Sequence, residues 1–364
     1  MRRIFAGMAA ALLAVVLAFP YKANAISAEH AILTDAQTGQ VLYERAPDTK
    51  SLIASTTKIM TALVVCEQCN VLDRMKIPKE AVGIEGSSMY LREGEILTIQ
   101  ELLYGLMLSS GNDAAVALAI YCGGTVEGFA ELMNDKAHRL GLTQTHFENP
   151  NGLDSPGHYS TARDLAKLAA YAMKNPIFAQ VVSTRTVKAG GRSLRNHNKL
   201  LWLVEGADGV KTGFTKAAGR ILVSSAERQG RRLVAVTIND PNDWKDHKAL
   251  LEDGFSKFTL QSLVHKGDVL GTAEVAGGME GTVSLVADED FAFALTAQEQ
   301  PQIVLQGSGF VYAPVVQGQN AGFAYVCIAG QPVGKIPLVY AQTVEQEKPP
   351  KVSWWQKLFG KDNG

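Results

Sequence analysis

The sequence predicts an α+β fold in which a helical cluster lies beside an antiparallel sheet and a small all-β sandwich follows. Helical patterns fill most of residues 55–173, whereas strand patterns occur at 30–45 and again after Gly209. From about residue 259, only short apolar stretches remain, separated by Gly, Pro, Asp and Gln, which is typical of a sandwich. With 364 residues, 46% of them hydrophobic, the chain can bury the cores of two domains.

Residues 1–25 are predicted to be a signal peptide. Arg2-Arg3 form a basic start, residues 6–19 are apolar, and Ala23-Asn24-Ala25 matches a cleavage site. The alternative is a retained membrane anchor, but the apolar region is shorter than the roughly 20 residues that a spanning helix needs. We therefore expect an exported protein that starts near Ile26.

The elements of the first domain follow from periodicity and caps. A hairpin is expected at 30–45, and residues 55–69 are apolar almost all round, which predicts a helix buried on most sides. Thr98 and Glu101 form a capping box that opens a helix through residue 108. After a break at 109–113, helices are expected at 114–121, 126–140, 161–173 and 243–258, and strands at 211–214, 220–226 and 233–238.

The changes in pattern divide the chain into four parts. We predict a signal peptide at 1–25, an α+β domain at 26–258, a β-rich domain at 259–344, and a linker with a tail at 345–364. On a helix turning about 100° per residue, one arc of roughly 160° collects the apolar tail residues Val352, Trp354, Trp355, Leu358 and Phe359. This pattern predicts an in-plane membrane anchor, the alternative being a disordered tail.

Composition excludes several other functions. A net charge of −1 gives no global reason to expect nucleic acid, and the seven histidines show no metal-binding spacing, so we expect no metal and no cofactor. Cys66-x-x-Cys69 has no second Cys pair and no matching histidines, which favours structural cysteine over a redox or zinc site. A disulfide from Cys66 or Cys69 to Cys122 stays open.

Three short motifs occur once each and in a fixed order: Ser55-Thr56-Thr57-Lys58, Ser110-Gly111-Asn112 and Lys211-Thr212-Gly213. Taken singly, each has a structural interpretation as a helix cap with a solvated lysine, a loop or a turn. A Lys-Thr-Gly match is expected in only about one in ten chains of this length and composition. Their joint occurrence at a helix start, a helix break and a strand predicts one catalytic site.

The residue types in these motifs suit nucleophilic catalysis. Ser55 and Lys58 share a helix face with Cβ atoms about 5–6 Å apart, so a neutral Lys58 can take the serine proton. A buried helix and the charge of Lys211 would both lower the lysine pKa as this requires. Ser110 can relay a proton to a leaving amine, and Asn112 offers a donor and an acceptor to an amide substrate.

The strand motif suits the binding of a peptide that ends in a carboxylate. An extended peptide can pair with a strand edge, and Gly213 lets another backbone approach closely. The groups offered to the substrate are the side chains of Lys211, Thr212 and Thr215 and, as an oxyanion hole, the backbone N–H groups of Ser55 and Phe214.

From about residue 31 to residue 258, the sequence resembles the low-molecular-mass penicillin-binding proteins, specifically the serine-type D-alanyl-D-alanine carboxypeptidases of peptidase family S11. The resemblance implies the fold of serine β-lactamases and DD-peptidases, and the segment after 259 looks like the family's C-terminal domain. Beyond the three motifs it rests on Gly86-Ser87-Ser88-Met89-Tyr90-Leu91, Asp113-Ala114-Ala115, Thr145-His146-Phe147, Asn151-Gly152-Leu153, residues 158–165 and Phe214-Thr215.

The resemblance implies removal of the terminal D-alanine from peptidoglycan pentapeptide stems at the outer face of the bacterial cytoplasmic membrane, and inhibition by β-lactams. It implies that Ser55 is acylated, that Lys58 accepts the proton, that Ser110 is the third catalytic residue and that Lys211 binds substrate. Some members place an arginine before the Lys-Thr-Gly strand to hold the substrate carboxylate, whereas this chain reads Arg-Asn-His-Asn-Lys at 195–199.

Two alternatives belong to other classes. A β-lactamase would share the acylation chemistry, but the Glu-x-x-Leu-Asn stretch of class A enzymes is missing because the chain holds no Leu-Asn dipeptide. A non-catalytic wall-binding or β-lactam-sensing protein would have less need of a complete set of motifs. Histidines 138, 146 and 158 are interpreted as structural or surface residues.

Overall fold

The computed structural model describes residues 26–307 and 309–348 of the chain. The predicted signal peptide and the predicted membrane anchor therefore lie outside the described residues. The predicted fold class is confirmed, because a helical cluster packs against an antiparallel sheet and an all-β region follows.

The strands of the α+β part are β1 (His30–Asp35), β2 (Val41–Arg45), β3 (Arg74–Lys76), β4 (Ile96–Thr98), β5 (Thr186–Ala189), β6 (Arg192–Arg195), β7 (Ala207–Thr215), β8 (Gly219–Arg228) and β9 (Arg231–Ile238). Its helices are α1 (Lys58–Gln68), α2 (Ile99–Leu108), α3 (Asn112–Gly123), α4 (Val126–Arg139), α5 (Ala162–Ala172), α6 (Pro176–Ser183), α7 (Leu200–Leu203) and α8 (Asp243–Lys257), with 3-10 turns at Ala54–Thr57 and Lys79–Ala81.

The main sheet has the order β2-β1-β9-β8-β7 and is covered on both faces. On β9, Val234 and Val236 enter the core shared with the helical cluster, whereas Leu233 and Ala235 enter a second core that includes residues of α8. Alternate side chains of a strand point to opposite faces, so a strand covered on both faces has to be apolar throughout. Within the described ranges, this order leaves β7 at an edge of the sheet, where it pairs with β8 alone.

The structure differs from the sequence prediction in two places, and a helix cap decides the first of them. Asn175 and Pro176 end the predicted helix before them, but they also begin α6: the Asn175 carboxamide oxygen accepts hydrogen bonds from the N–H groups of Ile177 and Phe178. Proline suits a first helical turn, where its missing N–H costs no hydrogen bond. The break after α2 is also shorter than predicted, because α3 starts at Asn112.

The all-β region contains β10 (Thr259–Val264), β11 (Val269–Ala276), β12 (Thr282–Ala287), β13 (Phe291–Leu295), β14 (Pro301–Gln306), β15 (Phe310–Tyr312), β16 (Asn320–Ile328) and β17 (Gln331–Tyr340). Six strands form one sheet, and β10 pairs with β13 as a ribbon. The ribbon joins the two parts of the molecule, since Ala294 packs in the second core of the α+β part and Val264 packs in the β core.

The cysteines are not disulfide-bonded in the structure, although the Sγ atoms of Cys69 and Cys122 lie 2.8 Å apart where the ends of α1 and α3 meet. The open disulfide alternative stays a prediction. No single helix of the described ranges is long and apolar enough to span a membrane; α3 and α4 reach that length only together, across a bend of 82°.

Candidate active site

The first and third motifs meet at the start of α1. Ser55 lies in the 3-10 turn just before α1, and Lys58 is the first residue of that helix. Gly213 of β7 passes against this turn, and a Cβ atom added to it would lie 3.2 Å from the carbonyl oxygen of Ile53. Because that contact is tight, the missing side chain lets the edge strand approach the turn that carries Ser55.

Lys58 connects Ser55 to the second motif. Its Nζ atom lies 3.0 Å from Ser55 Oγ, 2.7 Å from Asn112 Oδ1 and 2.5 Å from the carbonyl oxygen of Asn151. An ammonium group would donate to all three atoms. A neutral amine can donate to the two carbonyl oxygens and accept the hydrogen bond of the serine hydroxyl, so the same three contacts suit the base form.

Burial tunes the charges of two lysines in this site. The side chain of Lys58 is fully buried, and burial together with the nearby charge of Lys211 holds its pKa well below the usual value, against a smaller raising effect of Asp113. Burial lowers the pKa of Lys211 to about 7, and its Nζ donates to the carbonyl oxygen of Thr212 at 3.0 Å. Lys58 is therefore the lysine more easily kept neutral.

The second motif positions Asn112 by its backbone and its side chain. Its backbone N–H donates to the Ser87 carbonyl at 2.7 Å, and its Nδ2 donates to the Glu85 carbonyl at 2.5 Å. Ser110 is buried at 5% exposure and adopts a φ of +58°, a left-handed conformation that is uncommon for a residue with a side chain. This conformation makes the turn between α2 and α3.

The segment around Asn151 completes the contacts of Lys58, a role that no motif predicted. Gly152 has a φ of +85°, and a Cβ there would overlap the carbonyl oxygen of Ala54. Behind it, the Glu148 N–H donates to His158 Nδ1, so His158 Nε2 carries the proton and donates to Thr57 Oγ1 at 2.7 Å. Burial lowers the pKa of His158 to about 4, which keeps this ring neutral and structural.

Ser55 and Ser110 line one open cleft of about 1210 Å³ together with Thr212, Gly213 and Phe214. Lys58, Asn112 and Lys211 are buried residues and are not part of its lining. In the described residues, no group of three or more His, Cys, Asp or Glu side chains is arranged to hold a metal ion.

Thr215 sits differently from the other residues of the strand motif. Its hydroxyl donates to Asp154 Oδ1 at 3.1 Å and accepts from the Ala218 N–H at 3.0 Å, which closes the turn after β7. The structure therefore brings Thr215 to the end of the strand and gives its hydroxyl two partners within the chain.

One part of the cleft wall consists of residues that the motifs did not single out. They come from the segment before β7, from β8 and from the start of α8: Arg195, His197, Lys199, Trp202, Arg220 and Trp244. The resemblance relates residues 195–199 only to the substrate carboxylate. The nearby tryptophan at 202 was the available signal, since exposed aromatic residues beside cations are common in binding sites.

Comparison with known proteins shows to which family the two parts of the chain are similar. A family model described as D-alanyl-D-alanine carboxypeptidase matches residues 18–242, and a model of the penicillin-binding protein 5 C-terminal domain matches residues 258–346. D-alanyl-D-alanine carboxypeptidase DacD of Escherichia coli is 34% identical over 333 residues, which cover 86% of either chain. DacF of Bacillus subtilis is 30% identical over 88% of this chain and 86% of its own.

Solved structures show the same likeness. The crystal structure of penicillin-binding protein 5 from Haemophilus influenzae superposes with a TM-score of 0.78 at 29% identity, over 88% of this chain and 98% of that one. Penicillin-binding protein 6B of Escherichia coli gives a TM-score of 0.73 at 30% identity, over 88% of this chain and 98% of that chain.

Proposed function

Because the chain belongs to the D-alanyl-D-alanine carboxypeptidase family S11, we propose that it removes the terminal D-alanine from peptidoglycan pentapeptide stems through a serine acyl-enzyme. In this proposal residues 26–258 are the catalytic domain, and residues 259–344 are a β-rich domain that holds no catalytic residue. The single observation that carries the mechanism is the placement of Lys58 Nζ between Ser55 Oγ, Asn112 Oδ1 and the Asn151 carbonyl.

In the first step, Ser55 Oγ attacks the carbonyl carbon of the penultimate D-alanine while its proton passes to neutral Lys58. The backbone N–H groups of Ser55 and Phe214 stabilise the oxyanion that forms. The carbon–nitrogen bond then breaks, and the terminal D-alanine leaves as an amine that receives through Ser110 the proton that Lys58 took from Ser55, so Lys58 becomes neutral again. The stem is left as an ester on Ser55.

In the second step, water attacks this ester, Lys58 takes the water proton, and Ser55 regains its own. Before the first step, Lys211 and the hydroxyl of Thr212 hold the carboxylate of the terminal D-alanine, while Gly213 leaves the edge of β7 open to the peptide backbone. Asn112 positions Lys58 and keeps one Nδ2 hydrogen for the substrate. Thr215 stays a predicted substrate-binding residue, and its hydroxyl, which contacts Asp154 and Ala218 in the free protein, would have to exchange one of these contacts to reach the carboxylate.

β-Lactams would acylate the same Ser55, because their carboxylate and strained amide match the groups described above. A β-lactamase would also release the acyl group rapidly, and the family assignment does not favour that alternative. Nitrocefin should therefore give one stoichiometric burst, and steady turnover would revive the β-lactamase alternative.

The test of the proposal is release of D-alanine from diacetyl-L-lysyl-D-alanyl-D-alanine together with labelling by a fluorescent penicillin. Wild type should do both, and Ser55→Ala should do neither, whereas Ser262→Ala, a change in the β-rich region, serves as the matched serine control. A labelled peptide that maps to Ser110 instead of Ser55 would refute the assignment of the nucleophile.

We further propose that the protein is exported and held at the outer face of the cytoplasmic membrane by its tail. The support is the basic and apolar start of the sequence and the apolar arc of residues 352–359 with its two tryptophans. Deleting residues 352–364 should sharply reduce co-sedimentation with anionic liposomes while activity on the soluble peptide persists. Equal binding by both forms would exclude this anchor.

A further inference from the structure

One wall of the cleft carries positive charge that the proposed reaction does not use. Arg195 and Lys199 are exposed, line the same cleft as Ser55, and form no ion pair in the described part of the chain. Arg220 lies beside them but is held by Asp243, with contacts of 2.7 to 3.1 Å from its Nε and terminal nitrogen to the two carboxylate oxygens. Lys245, near the start of α8, is a third exposed cation of the lining without an ion pair in the described ranges. The unpaired positive charge of the cleft therefore comes from Arg195, Lys199 and Lys245, of which Arg195 and Lys199 come from the same segment before β7.

Two tryptophans hold Arg195 and Lys199 in place. The guanidinium carbon of Arg195 lies 5.2 Å from the ring centroid of Trp202, and Nζ of Lys199 lies 5.9 Å from that of Trp244. A cation on an aromatic face keeps its outer N–H groups free for an anion, and a guanidinium suits a carboxylate because it can donate two parallel hydrogen bonds. We call Arg195, Lys199, Trp202 and Trp244 the cationic shelf.

The size and the charge of the cleft both indicate a ligand larger than the terminal dipeptide. Its volume of about 1210 Å³ exceeds the roughly 300–1,000 Å³ of ordinary small-molecule sites, so a D-alanyl-D-alanine end would fill only part of it. The whole chain carries a net charge of −1. The positive charge is therefore a local property of this wall rather than a consequence of a basic protein.

We propose that the cationic shelf binds a carboxylate that the substrate carries in addition to its C-terminal carboxylate, so that the enzyme prefers peptides with a second acidic group. This inference rests on the proposed function. The shelf and Ser55 share one cleft, so an anionic group held by the shelf is best placed when it belongs to the molecule being cleaved. A separate polyanion would have no need to bind in the same cleft as Ser55.

Three peptides test the proposal. One is diacetyl-L-lysyl-D-alanyl-D-alanine, and in each of the others a succinyl group replaces one acetyl group, either on Nα or on Nε, which adds one carboxylate. Wild type should cleave at least one succinyl peptide with a kcat/KM about ten-fold above the diacetyl peptide, mainly through KM, because hydrogen bonds to charged groups are strong. Raising the salt concentration should reduce this preference.

The variant Arg195→Gln/Lys199→Gln should reduce the preference to about two-fold or less, since its side chains can no longer attract an anion at a distance. Arg139→Gln/Lys174→Gln removes the same charge from exposed positions that do not line the cleft, and it should keep the wild-type preference. Folding of each variant is checked by circular dichroism and thermal unfolding.

The remaining outcomes distinguish a failure of the shelf proposal from a failure of the proposed carboxypeptidase function. Equal kcat/KM for all three peptides in wild type, or a preference that survives in the shelf variant, would overturn the role of the shelf alone. No D-alanine from any peptide, with no penicillin labelling of Ser55, would overturn the proposed function and this inference with it. If inorganic polyphosphate inhibits wild type but not the shelf variant, and no succinyl preference exists, the shelf binds a separate polyanion and the proposal is wrong.

Discussion

At the scale of single residues, the proposed mechanism requires two buried lysines in different protonation states. Lys58 has to be neutral to accept a proton, and Lys211 has to be charged to attract a carboxylate. Burial lowers both pKa values, but the charge of Lys211 lowers that of Lys58 further. The pair therefore reaches the working state when Lys58 has lost its proton and Lys211 has kept its own.

This arrangement predicts a bell-shaped pH profile of kcat/KM in the free enzyme. The rate should rise as Lys58 deprotonates and fall as Lys211 deprotonates, with the descending limb near the Lys211 pKa of about 7. Lys211→Arg should move the descending limb to higher pH, because arginine stays protonated. The measurement is kcat/KM on the diacetyl-lysyl peptide from pH 5 to 10 (on the order of ten points), and an unmoved limb in Lys211→Arg would assign it to another group.

Lys58→Arg tests the proton acceptor directly. Arginine keeps the positive charge but cannot become neutral in a protein, so the acylation rate should fall by at least about 100-fold. The rate of labelling by fluorescent penicillin measures this step without the later ones. Wild-type labelling at neutral pH in a folded Lys58→Arg protein would show that Lys58 is not the base.

At the scale of elements, the site depends on close approaches between segments that are far apart in sequence. The segment around Asn151 reaches Lys58 only because Gly152 packs against the turn before α1. Gly213 allows the same kind of approach by β7 on another side of that turn.

Gly152→Ala should therefore damage both stability and acylation. The residue has a φ of +85°, and an added Cβ would overlap the Ala54 carbonyl oxygen and lie 2.8 Å from Thr57 Oγ1. We expect a loss of about 2 kcal/mol or more in the free energy of unfolding from strain and displacement, together with slower penicillin acylation. Urea unfolding and labelling rates measure the two effects.

Gly141→Ala is the matched control for this prediction. Gly141 also has a positive φ, +66°, but an added Cβ would meet no atom within 4 Å. Gly141→Ala should lower the free energy of unfolding only by the cost of placing alanine in the left-handed conformation, about 1 kcal/mol, and should not change the acylation rate. Equal effects of both substitutions would mean that close packing at Gly152 is unimportant.

At the scale of the whole molecule, buried histidines make the fold sensitive to acid. His247 lies between Ser224 Oγ and Thr237 Oγ1 under the main sheet, and His158 lies behind the turn that carries Ser55. Burial lowers their pKa values to about 3 and about 4, so both rings are neutral in the folded protein at neutral pH.

Acid lowers the stability of the fold because the unfolded chain binds more protons than the folded chain. Below the ordinary histidine pKa of about 6.5, the unfolded chain binds protons that the folded chain does not. Stability is therefore complete above that pH and is lost as the pH falls towards the folded values. Between pH 6.5 and 4.5, each histidine should remove about 2–3 kcal/mol from the free energy of unfolding.

Urea unfolding at neutral and acidic pH measures this loss. His158→Gln should be less stable than wild type at pH 7, because a buried contact is changed, but it should lose less stability on acidification. A drop of the same size in wild type and His158→Gln would show that His158 does not contribute.

The sequence by itself determined the fold class, the position of most helices and strands, and the three motifs. These depend on local rules such as periodicity, the capping box at Thr98 and Glu101, and spacing within one helix turn. The segment 175–183 shows the limit of local rules, because the same Asn-Pro pair that ends one helix also caps the next.

Only the tertiary structure decided how the candidate site is assembled. The contact between Lys58 and Asn151 joins residues 93 positions apart in sequence. The apolar pattern of residues 55–69 predicts the burial that lowers the pKa of Lys58, but no local pattern predicts the burial that lowers the pKa of Lys211. The cationic shelf likewise combines residues 195–202 with Trp244. Desolvation and long-range contacts exist only when the chain is folded, because only folding brings these groups together and excludes water from them.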